Sequence, residues 1–372
     1  MALLGLMSLI PLGVILNHAD TFHHFRDILA LLDPADFELV IAGDREALER
    51  IARDQEYASV WYQDIYLQGP RYEFTLSNYY IYYYDVRSEQ GQFKGRLYLP
   101  QMIGKQAIRL MYTLGVDYWS YGNWNTIFQH QFCYGPWQAE RLQAFGGKTH
   151  QIGYPRYDRF FNQTRNADQN RAFVSQLGGD PDKASIVCLP TRYQHTLRLF
   201  AETLAALNSE YNVFVKPHPL TWQEEPGLIR WLQTLPFTAL IEGADSLQLL
   251  SIADFVVCDY GGSAFGALYT DRNLLLFNHY PDTLFDPVKL HIELPSARPM
   301  TVHKLNPTEV YLRQSIANLD PGQQTQLPAL LKDFDFWKAQ KQMRANLRQE
   351  FFAPYYGNSA QQAAEILKTL MA

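Results

Sequence analysis

Three clusters of residues suited to anion binding follow apolar runs in the second half of the chain. In chain order they are Pro190–Arg192, Lys216–Pro219 and Asp259–Ser263. Side chains such as Arg192, Lys216 and His218 can donate hydrogen bonds to phosphate oxygens. Gly261 and Gly262 let a ligand approach backbone N–H groups closely, because glycine has no side chain. Together the clusters predict a nucleotide-diphosphate site.

The placement of these clusters matters more than any one of them. A Gly-Gly pair alone is more typical of an ordinary tight turn. Each cluster, however, follows a predicted strand, and the carboxyl ends of parallel strands lie at one edge of a sheet. A helix is also expected to begin just after Ser263, and its N-terminus would add partial positive charge. The position of all three clusters at the ends of strands therefore favours one shared phosphate site.

A second group of ionisable residues follows the first predicted strand. His18 and Asp20 lie in a turn that a ligand could reach. A neutral imidazole can accept the proton of a hydroxyl near pH 7, and a carboxylate can orient the imidazole. His23 and His24 are expected to be exposed on the helix that follows. Helix capping and structural roles remain the alternative for His18 and Asp20.

The cysteines and the scattered histidines do not suggest a metal site. Cys133, Cys188 and Cys258 lie far apart, and none belongs to a C-x-x-C pair. Their apolar or aromatic neighbours predict buried thiols in a reducing compartment. No metal site is therefore predicted.

Strands and helices alternate along the first half and must position the N-terminal group. Strands are expected at 13–17, 37–42 and 96–100 and within the aromatic segment 71–87, with helices at 22–32, 45–53, 105–114 and 136–145 and an irregular segment at 122–132. The tyrosines of segment 71–87 predict packing, with a stacking surface for a sugar or polyol acceptor as the alternative.

The second half alternates more regularly. Strands are expected at 185–189, 211–215, 239–241, 254–258 and 273–277, with helices at 197–209, 225–235, 246–252 and from 264 to 269. Such alternation predicts α/β architecture with two Rossmann-like parallel-sheet domains facing a cleft. The predicted domains are 1–162 on the acceptor side and 170–345 on the nucleotide-donor side. Residues 346–372 would form a C-terminal helix packing back toward the first domain.

The composition and net charge of the chain limit the kinds of binding partner that can be expected. The chain has 372 residues, 47% of them hydrophobic, and a net charge of −6 without a basic run. A nucleic-acid partner and a polybasic membrane patch are therefore not expected. The apolar start, Met1–Leu16, has no basic residue before Arg26 and is interrupted by Pro11 and Gly13. It is too short to span a bilayer, so we expect a cytoplasmic protein. A peripheral contact at the inner face of the cell membrane stays open.

Several motifs together carry a family resemblance over residues 130–367. They are GYPRYD at 153–158, LPTRY at 189–193, KPHP at 216–219, LLSIADFVVCDYGGSAF at 249–265, LLLFNHYPD at 274–282 and YYGNSAQQAAEIL at 355–367. In these motifs the chain resembles the CDP-glycerol glycerophosphotransferase family, which includes teichoic-acid primases and polymerases.

The resemblance implies the two-domain glycosyltransferase-B fold and a metal-independent transferase without a resident cofactor. It implies that the C-terminal domain binds a CDP-linked donor and that the N-terminal domain meets the acceptor. On this basis His218 is expected to contact the donor phosphates and to act in catalysis. Arg192 and Lys216 join it as phosphate ligands, and the loop Tyr260–Ser263, with Gly261 and Gly262, would cradle the phosphates.

The chain departs from that family in two places. The family usually has Asp-Tyr-Ser-Ser where this chain has Gly261 and Gly262 in the serine positions. The family also has Trp-His-Gly in its first domain, with the histidine as expected general base, where this chain has Gln101–Lys105 without histidine. His18, oriented by Asp20, is therefore the predicted replacement base, with Asp64 as the next candidate.

These features predict a transferase in the synthesis of a cell-surface polysaccharide or teichoic-acid-like polymer. It would move a glycerophosphate-like or sugar group from a nucleotide-activated, CDP-linked donor to a hydroxyl of a glycan, lipid-linked or polyol-phosphate acceptor. A glycosyltransferase using a UDP-sugar and a catalytically inactive nucleotide-binding homologue are the alternatives. The oligomeric state is left open.

Overall fold

The computed structural model describes residues 9–115, 117–163, 166–191, 194–278 and 307–372. The chain divides into two compact units. Unit 1 consists of Met1–Tyr112, Tyr121–Asp158 and Phe351–Ala372, and unit 2 of Thr113–Ser120 and Arg159–Glu350. The C-terminal segment thus belongs to the same unit as the N-terminal strands.

The described strands run, in chain order, as β1 (Ile10–Leu16), β2 (Phe37–Ile41), β3 (Ser59–Trp61), β4 (Tyr72–Ser77), β5 (Tyr83–Arg87), β6 (Phe93–Tyr98), β7 (Gly104–Leu110), β8 (His130–Cys133), β9 (Lys148–Gln151), β10 (Ser185–Cys188), β11 (Asn212–Val215), β12 (Ala239–Leu240), β13 (Phe255–Cys258), β14 (Asn273–Phe277) and β15 (Asn318–Leu319).

The described α-helices are α1 (Phe22–Leu29), α2 (Arg45–Asp54), α3 (Leu99–Ile103), α4 (Asp117–Ser120), α5 (Pro136–Leu142), α6 (Asp158–Asn162), α7 (Ala167–Gln176), α8 (Gln194–Ala206), α9 (Pro219–Glu224), α10 (Pro226–Leu232), α11 (Ser246–Ile252), α12 (Gly262–Tyr269), α13 (Pro307–Ser315), α14 (Leu327–Lys332), α15 (Phe334–Phe351) and α16 (Ser359–Met371).

Unit 1 is built on a seven-stranded parallel sheet of order β3-β2-β1-β4-β7-β8-β9. Helices α1 and α16 bury Phe25, Ile28 and Leu367 in a shared core on this sheet. The Asp158 carboxylate accepts a 2.6 Å hydrogen bond from the Ala360 N–H. This contact fixes the first turn of α16, whose N–H groups have no intrahelical acceptor.

Unit 2 is built on a six-stranded parallel sheet of order β12-β11-β10-β13-β14-β15. Its first strand, β10, lies between β11 and β13. The chain order of the strands therefore reverses at β10. Ligands of open α/β sheets bind at such a point, outside the carboxyl ends of the strands.

The predicted α/β class with parallel sheets is confirmed, but one predicted helix is a strand in the structure. Residues 105–114 were expected to be helical and instead supply most of β7, an interior strand between β4 and β8. Ala107, Ile108 and Leu110 are all buried, because helices cover both faces of the sheet. A strand buried on both faces loses the alternation of apolar and polar residues by which strands are recognised in a sequence. Arg109 adds to the ambiguity as a fully buried charge in the middle of the run.

Two other segments also differ from expectation. Residues 122–132 are irregular only in part, because β8 begins at His130. Of the aromatic segment, β4 enters the main sheet, whereas β5 pairs with β6 in a separate antiparallel hairpin. No described helix combines the length and apolar character needed to cross a bilayer.

Candidate functional site

The carboxyl ends of β10, β11 and β13 are neighbours in the unit 2 sheet. Thr191 follows β10, Lys216 and His218 follow β11, and Asp259 follows β13. The register of the parallel pairs aligns Cys188 with Val215 and with Val257. Arg192, predicted to bind phosphate, lies outside the described residues, so its role stays a prediction.

Asp259 joins two of these strand ends. Its buried carboxylate accepts hydrogen bonds from the N–H and the hydroxyl of Thr191, both at 2.9 Å, and from the Tyr260 N–H at 2.8 Å. Burial raises the pKa of Asp259, while these hydrogen bonds act in the opposite direction. The side chain therefore fixes the backbone at the start of the glycine loop, which we define as Asp259–Ser263.

The glycine loop has a backbone that requires glycine at one position. Gly261 has a φ of +83°, in the region that other residues rarely adopt. Its N–H is not available to a ligand, since it donates a 2.7 Å hydrogen bond to Oε1 of Glu309. The N–H groups of Gly262 and Ser263 are the first two of α12, where a helix offers no internal acceptor. These two are the candidate anion donors.

His218 lies at the N-terminus of α9 with a half-buried side chain. Its Nδ1 atom accepts a 3.2 Å hydrogen bond from the Leu220 N–H. In a neutral imidazole whose Nδ1 is an acceptor, the proton is on Nε2. His218 can thus cap its helix through Nδ1 while Nε2 carries the N–H, a hydrogen-bond donor. Lys216, at the end of β11, is also half-buried.

Glu309 and Arg313 of α13 were not among the predicted site residues. Both are buried, and Arg313 Nη1 lies 2.5 Å from Glu309 Oε2. Arg313 also donates through Nη2 to the Asp259 carbonyl. Burial raises the pKa of Glu309, against the hydrogen bond from the Gly261 N–H, and lowers the pKa of Arg313, against the charge of Asp259. Their i, i+4 spacing resembles a common exposed helix pair, so the sequence alone does not mark them.

In unit 1, His18 is exposed at the carboxyl end of β1. The carboxylate within reach of its ring is Asp44, not Asp20, with 3.2 Å between Nδ1 and Oδ2. The same Asp44 oxygen accepts a 3.1 Å hydrogen bond from the Ala19 N–H. Asp20 instead lies exposed in the short 3-10 turn Ala19–Thr21. The expectation that Asp20 orients His18 is corrected accordingly.

The backbone before Asp44 brings it to His18. A side chain at Gly43 would place its Cβ only 2.3 Å from the Asn17 carbonyl oxygen, so this close approach needs glycine. Asp44 itself has a φ of +36°, an uncommon value for a residue with a side chain. Asp64, the second predicted base, is exposed in the 3-10 turn Tyr62–Asp64.

His23 and His24 were expected to be exposed, but His23 is half-buried and His24 is buried. His24 is only 5% exposed, and its ring lies 4.9 Å from that of Tyr112. Burial lowers the pKa of His24 well below its usual value and that of His23 to about 3. The α1 face carrying them therefore faces the protein. In the described part of the chain, no three His, Cys, Asp or Glu side chains are grouped to hold a metal ion.

The three cysteines are buried free thiols, as their neighbours predicted. Burial raises the pKa of each: that of Cys133 to about 12, with those of Cys188 and Cys258 also above their usual values. Such thiols are poor nucleophiles, because the thiolate is the reactive form. They take no part in the candidate site chemistry.

Comparison with known proteins matches part of the chain to one family. A model of the CDP-glycerol:poly(glycerophosphate) glycerophosphotransferase family matches residues 137–283, which contain the glycine loop and His218. A search of curated proteins found no match.

Solved structures similar to this chain share its fold at low sequence identity. The wall teichoic acid polymerase TagF matches with a TM-score of 0.60 and 13% identity, over 97% of this chain and 88% of that one. The MnaA–UDP structure from S. aureus matches with a TM-score of 0.58 and 11% identity, over 97% and 96%.

UDP-GlcNAc 2-epimerase from Neisseria meningitidis matches with a TM-score of 0.58 and 11% identity, over 97% of this chain and 100% of that one. The resemblance found in the sequence is therefore confirmed: residues 137–283 match the CDP-glycerol glycerophosphotransferase family, and the chain has the glycosyltransferase-B fold of TagF.

Proposed function

We propose that this protein transfers a glycerophosphate-like group from a CDP-linked donor to a hydroxyl of a teichoic-acid-like or other cell-surface polymer. One observation carries the proposal. The strand ends bearing Thr191, His218 and the glycine loop adjoin at the point where the strand order of unit 2 reverses, within the residues that match the family. A nucleotide-diphosphate fits such a point in an α/β sheet.

The proposed chemistry is phosphoryl transfer. The acceptor oxygen attacks the glycerol-bearing phosphorus, the bond from that phosphorus to the bridging oxygen breaks, and CMP leaves. The N–H groups of Gly262 and Ser263, the α12 N-terminus, Lys216 and His218 Nε2 would stabilise the charge on the leaving nucleotide. Arg192 remains a proposed further ligand. These groups supply the positive charge, so the proposal includes no metal and no cofactor.

The acceptor proton needs a base, and we propose His18 for that role. A neutral imidazole takes a proton from a hydroxyl as the oxygen attacks. The acceptor would be a glycan, a lipid-linked oligomer or a polyol phosphate. The proposed location is the cytoplasm, at the inner face of the membrane where the acceptor is lipid-linked.

A UDP-sugar is the second candidate donor. It is favoured by Gly261 and Gly262, which replace the serine pair usual in the glycerophosphotransferase family and so remove two hydroxyl donors. In that case the acceptor attacks an anomeric carbon and UDP leaves.

Incubation with CDP-glycerol, CDP-ribitol and a panel of UDP-sugars, with an acceptor mixture, tests both candidates. Release of CMP from a CDP-linked polyol supports the proposal, and release of UDP supports the second candidate. Nucleotide binding without turnover by any donor contradicts both and indicates an inactive nucleotide-binding homologue. The Gly262→Val protein, whose substitution lies in the proposed phosphate cradle, serves as the negative control once thermal unfolding shows that it is folded at the assay temperature.

A further inference from the structure

The glycine loop contains a backbone donor that faces the protein. Gly261 is buried, and its φ of +83° turns the chain between the end of β13 and the start of α12. A buried N–H without an acceptor costs about 1–3 kcal/mol. The acceptor that satisfies it is a carboxylate from far along the chain, Glu309 of α13.

Glu309 and Arg313 hold the loop at two points. Glu309 Oε1 accepts from the Gly261 N–H at 2.7 Å, and Arg313 Nη2 donates to the Asp259 carbonyl. Arg313 Nη1 and Glu309 Oε2 lie 2.5 Å apart and connect the two contacts. The pair is only 1% and 8% exposed, so water does not compete strongly for these hydrogen bonds.

The helix that carries the pair is itself fixed. The carboxylate of Asp117 accepts a 2.9 Å hydrogen bond from the Thr308 N–H in the first turn of α13. On the other side of Glu309, a Cβ at Gly115 would lie 2.5 Å from Glu309 Oε1 and 2.6 Å from the Phe265 ring. The backbone at Gly115 therefore packs closely against the carboxylate, and a side chain at residue 115 would collide with it.

We propose that Glu309 and Arg313 are positioning residues that set the glycine loop for the donor diphosphate, an inference that rests on the proposed function. A buried ion pair is not needed for stability, because well-packed apolar residues often serve equally well. Here the contacts of the pair fall on the backbone of the loop. They withdraw the Gly261 N–H from the ligand and leave those of Gly262 and Ser263 to face it.

The test compares wild type with Glu309→Gln and Arg313→Lys. A glutamine can accept from Gly261 or from Arg313 but not from both, since its amide nitrogen is a donor. We expect the Kd for CDP and the KM for the donor to rise about tenfold to hundredfold, as for loss of a charge-assisted hydrogen bond. The KM for the acceptor should not change. Amide hydrogen exchange at Gly261 should accelerate.

Asp271→Asn is the matched control. It weakens another ion pair of unit 2, in which Asp271 lies 3.1 Å from the buried Arg344, beyond the opposite end of α12. This variant should unfold at a lower temperature than wild type but bind CDP with unchanged affinity. A purely structural role of Glu309 would make Glu309→Gln behave like this control.

Folded Glu309→Gln and Arg313→Lys proteins with wild-type CDP affinity, donor KM and Gly261 exchange would overturn the inference. Should Glu309→Gln not fold, Arg313→Lys decides, because it keeps the charge and loses one of the two contacts. A wild-type protein that binds neither CDP nor UDP contradicts the proposed function instead. Exchange at Gly261 then still shows whether the pair holds the loop.

Discussion

The imidazole of His218 uses its two nitrogens for different purposes. Nδ1 accepts a hydrogen bond from the Leu220 N–H and so caps the N-terminus of α9. In the neutral imidazole this contact leaves the proton on Nε2. The helix cap therefore also selects the tautomer that can donate to an anion. A residue that serves structure through one atom and a ligand through the other needs variants that separate the two roles.

His218→Asn separates them. Asparagine is a good N-cap and can accept from Leu220, but it has no counterpart of Nε2. We expect kcat/KM to fall about 10²–10³-fold in both His218→Ala and His218→Asn, as for loss of one charge-stabilising donor. Only His218→Ala should also lose stability. Steady-state kinetics and thermal unfolding measure the two effects, and a fully active His218→Asn protein would restrict His218 to capping.

His18 and Asp44 lead to a second prediction at this scale. His18→Ala should reduce kcat about 10²–10⁴-fold if the imidazole is the general base. Asp44→Asn should reduce kcat less, because it removes only the negative charge of the group beside Nδ1 and keeps an acceptor oxygen. Donor affinity should stay at the wild-type value in both. Asp20→Asn is the control and should turn over normally. A His18→Ala enzyme with wild-type kcat would move the base to Asp64 or another group.

Part of the candidate site could be predicted from residue types in the sequence. Its other residues are identified only by their contacts in the structure. His218 and the two glycines are recognisable because each follows a strand in a short motif. Asp44 is 26 residues from His18, and Glu309 is 48 residues from Gly261. No local pattern connects residues so far apart, because only the folded sheet brings them together.

At the scale of the elements, the hydrophobic pattern of the sequence identified most strands. It failed at β7, where burial on both faces removes the alternation of apolar and polar residues. The core strands of unit 2 are short apolar runs that end in glycine or proline motifs, and these signals agree with the structure. β7 has no such end signal and contains Arg109, a charge that is 1% exposed. Arg109 donates to the Asn78 carbonyl at 3.1 Å and lies over the Trp124 ring. The residues that stabilise this charge lie outside the strand, so the sequence of the strand does not show that a buried arginine is tolerated there.

The junction of the glycine loop with α12 gives the prediction at this scale. A Cβ at residue 262 would lie 2.9 Å from Thr113 Oγ1. Under the proposed function, we also expect a valine side chain there to hinder the approach of a phosphate to the first N–H groups of α12. Gly262→Val should therefore both destabilise unit 2 and abolish CDP binding. The double variant Thr113→Ala/Gly262→Val should recover stability, because the hydroxyl is gone, without recovering binding.

Calorimetric titration with CDP and thermal unfolding distinguish these effects. Thr113→Ala alone is the control and should bind CDP. If the double variant binds CDP like wild type, the N–H groups at the start of α12 do not hold the phosphates.

At the scale of the whole molecule, the two units repeat one arrangement. In each sheet the first strand is flanked by the second and by the fourth in chain order within that sheet. The alternation of strands and helices made this architecture predictable. The same fold occurs in a polymerase and in an epimerase, so the fold alone does not specify the donor. Under the proposed function, we expect side chains around the glycine loop to set the donor specificity.

The stability of unit 1 should depend on pH through two histidines of α1, the buried His24 and the half-buried His23. Burial lowers the pKa of His24 well below 6.5 and that of His23 to about 3, so both stay neutral in the folded protein. The unfolded chain binds these protons once the pH falls below 6.5. Their contribution to stability is therefore complete above pH 6.5 and is lost as the pH decreases, by about 1.4 kcal/mol per pH unit for each histidine.

Urea unfolding of unit 1 between pH 7 and pH 5 measures this loss. His24→Gln should show a smaller decrease in unfolding free energy over this range than wild type, because glutamine does not titrate. The carboxylates titrate in both proteins, so the difference between the two curves isolates His24. His18→Gln, which replaces an exposed histidine, is the control and should follow wild type. Parallel curves for wild type and His24→Gln would mean that His24 is accessible to protons in the folded state, contrary to its 5% exposure.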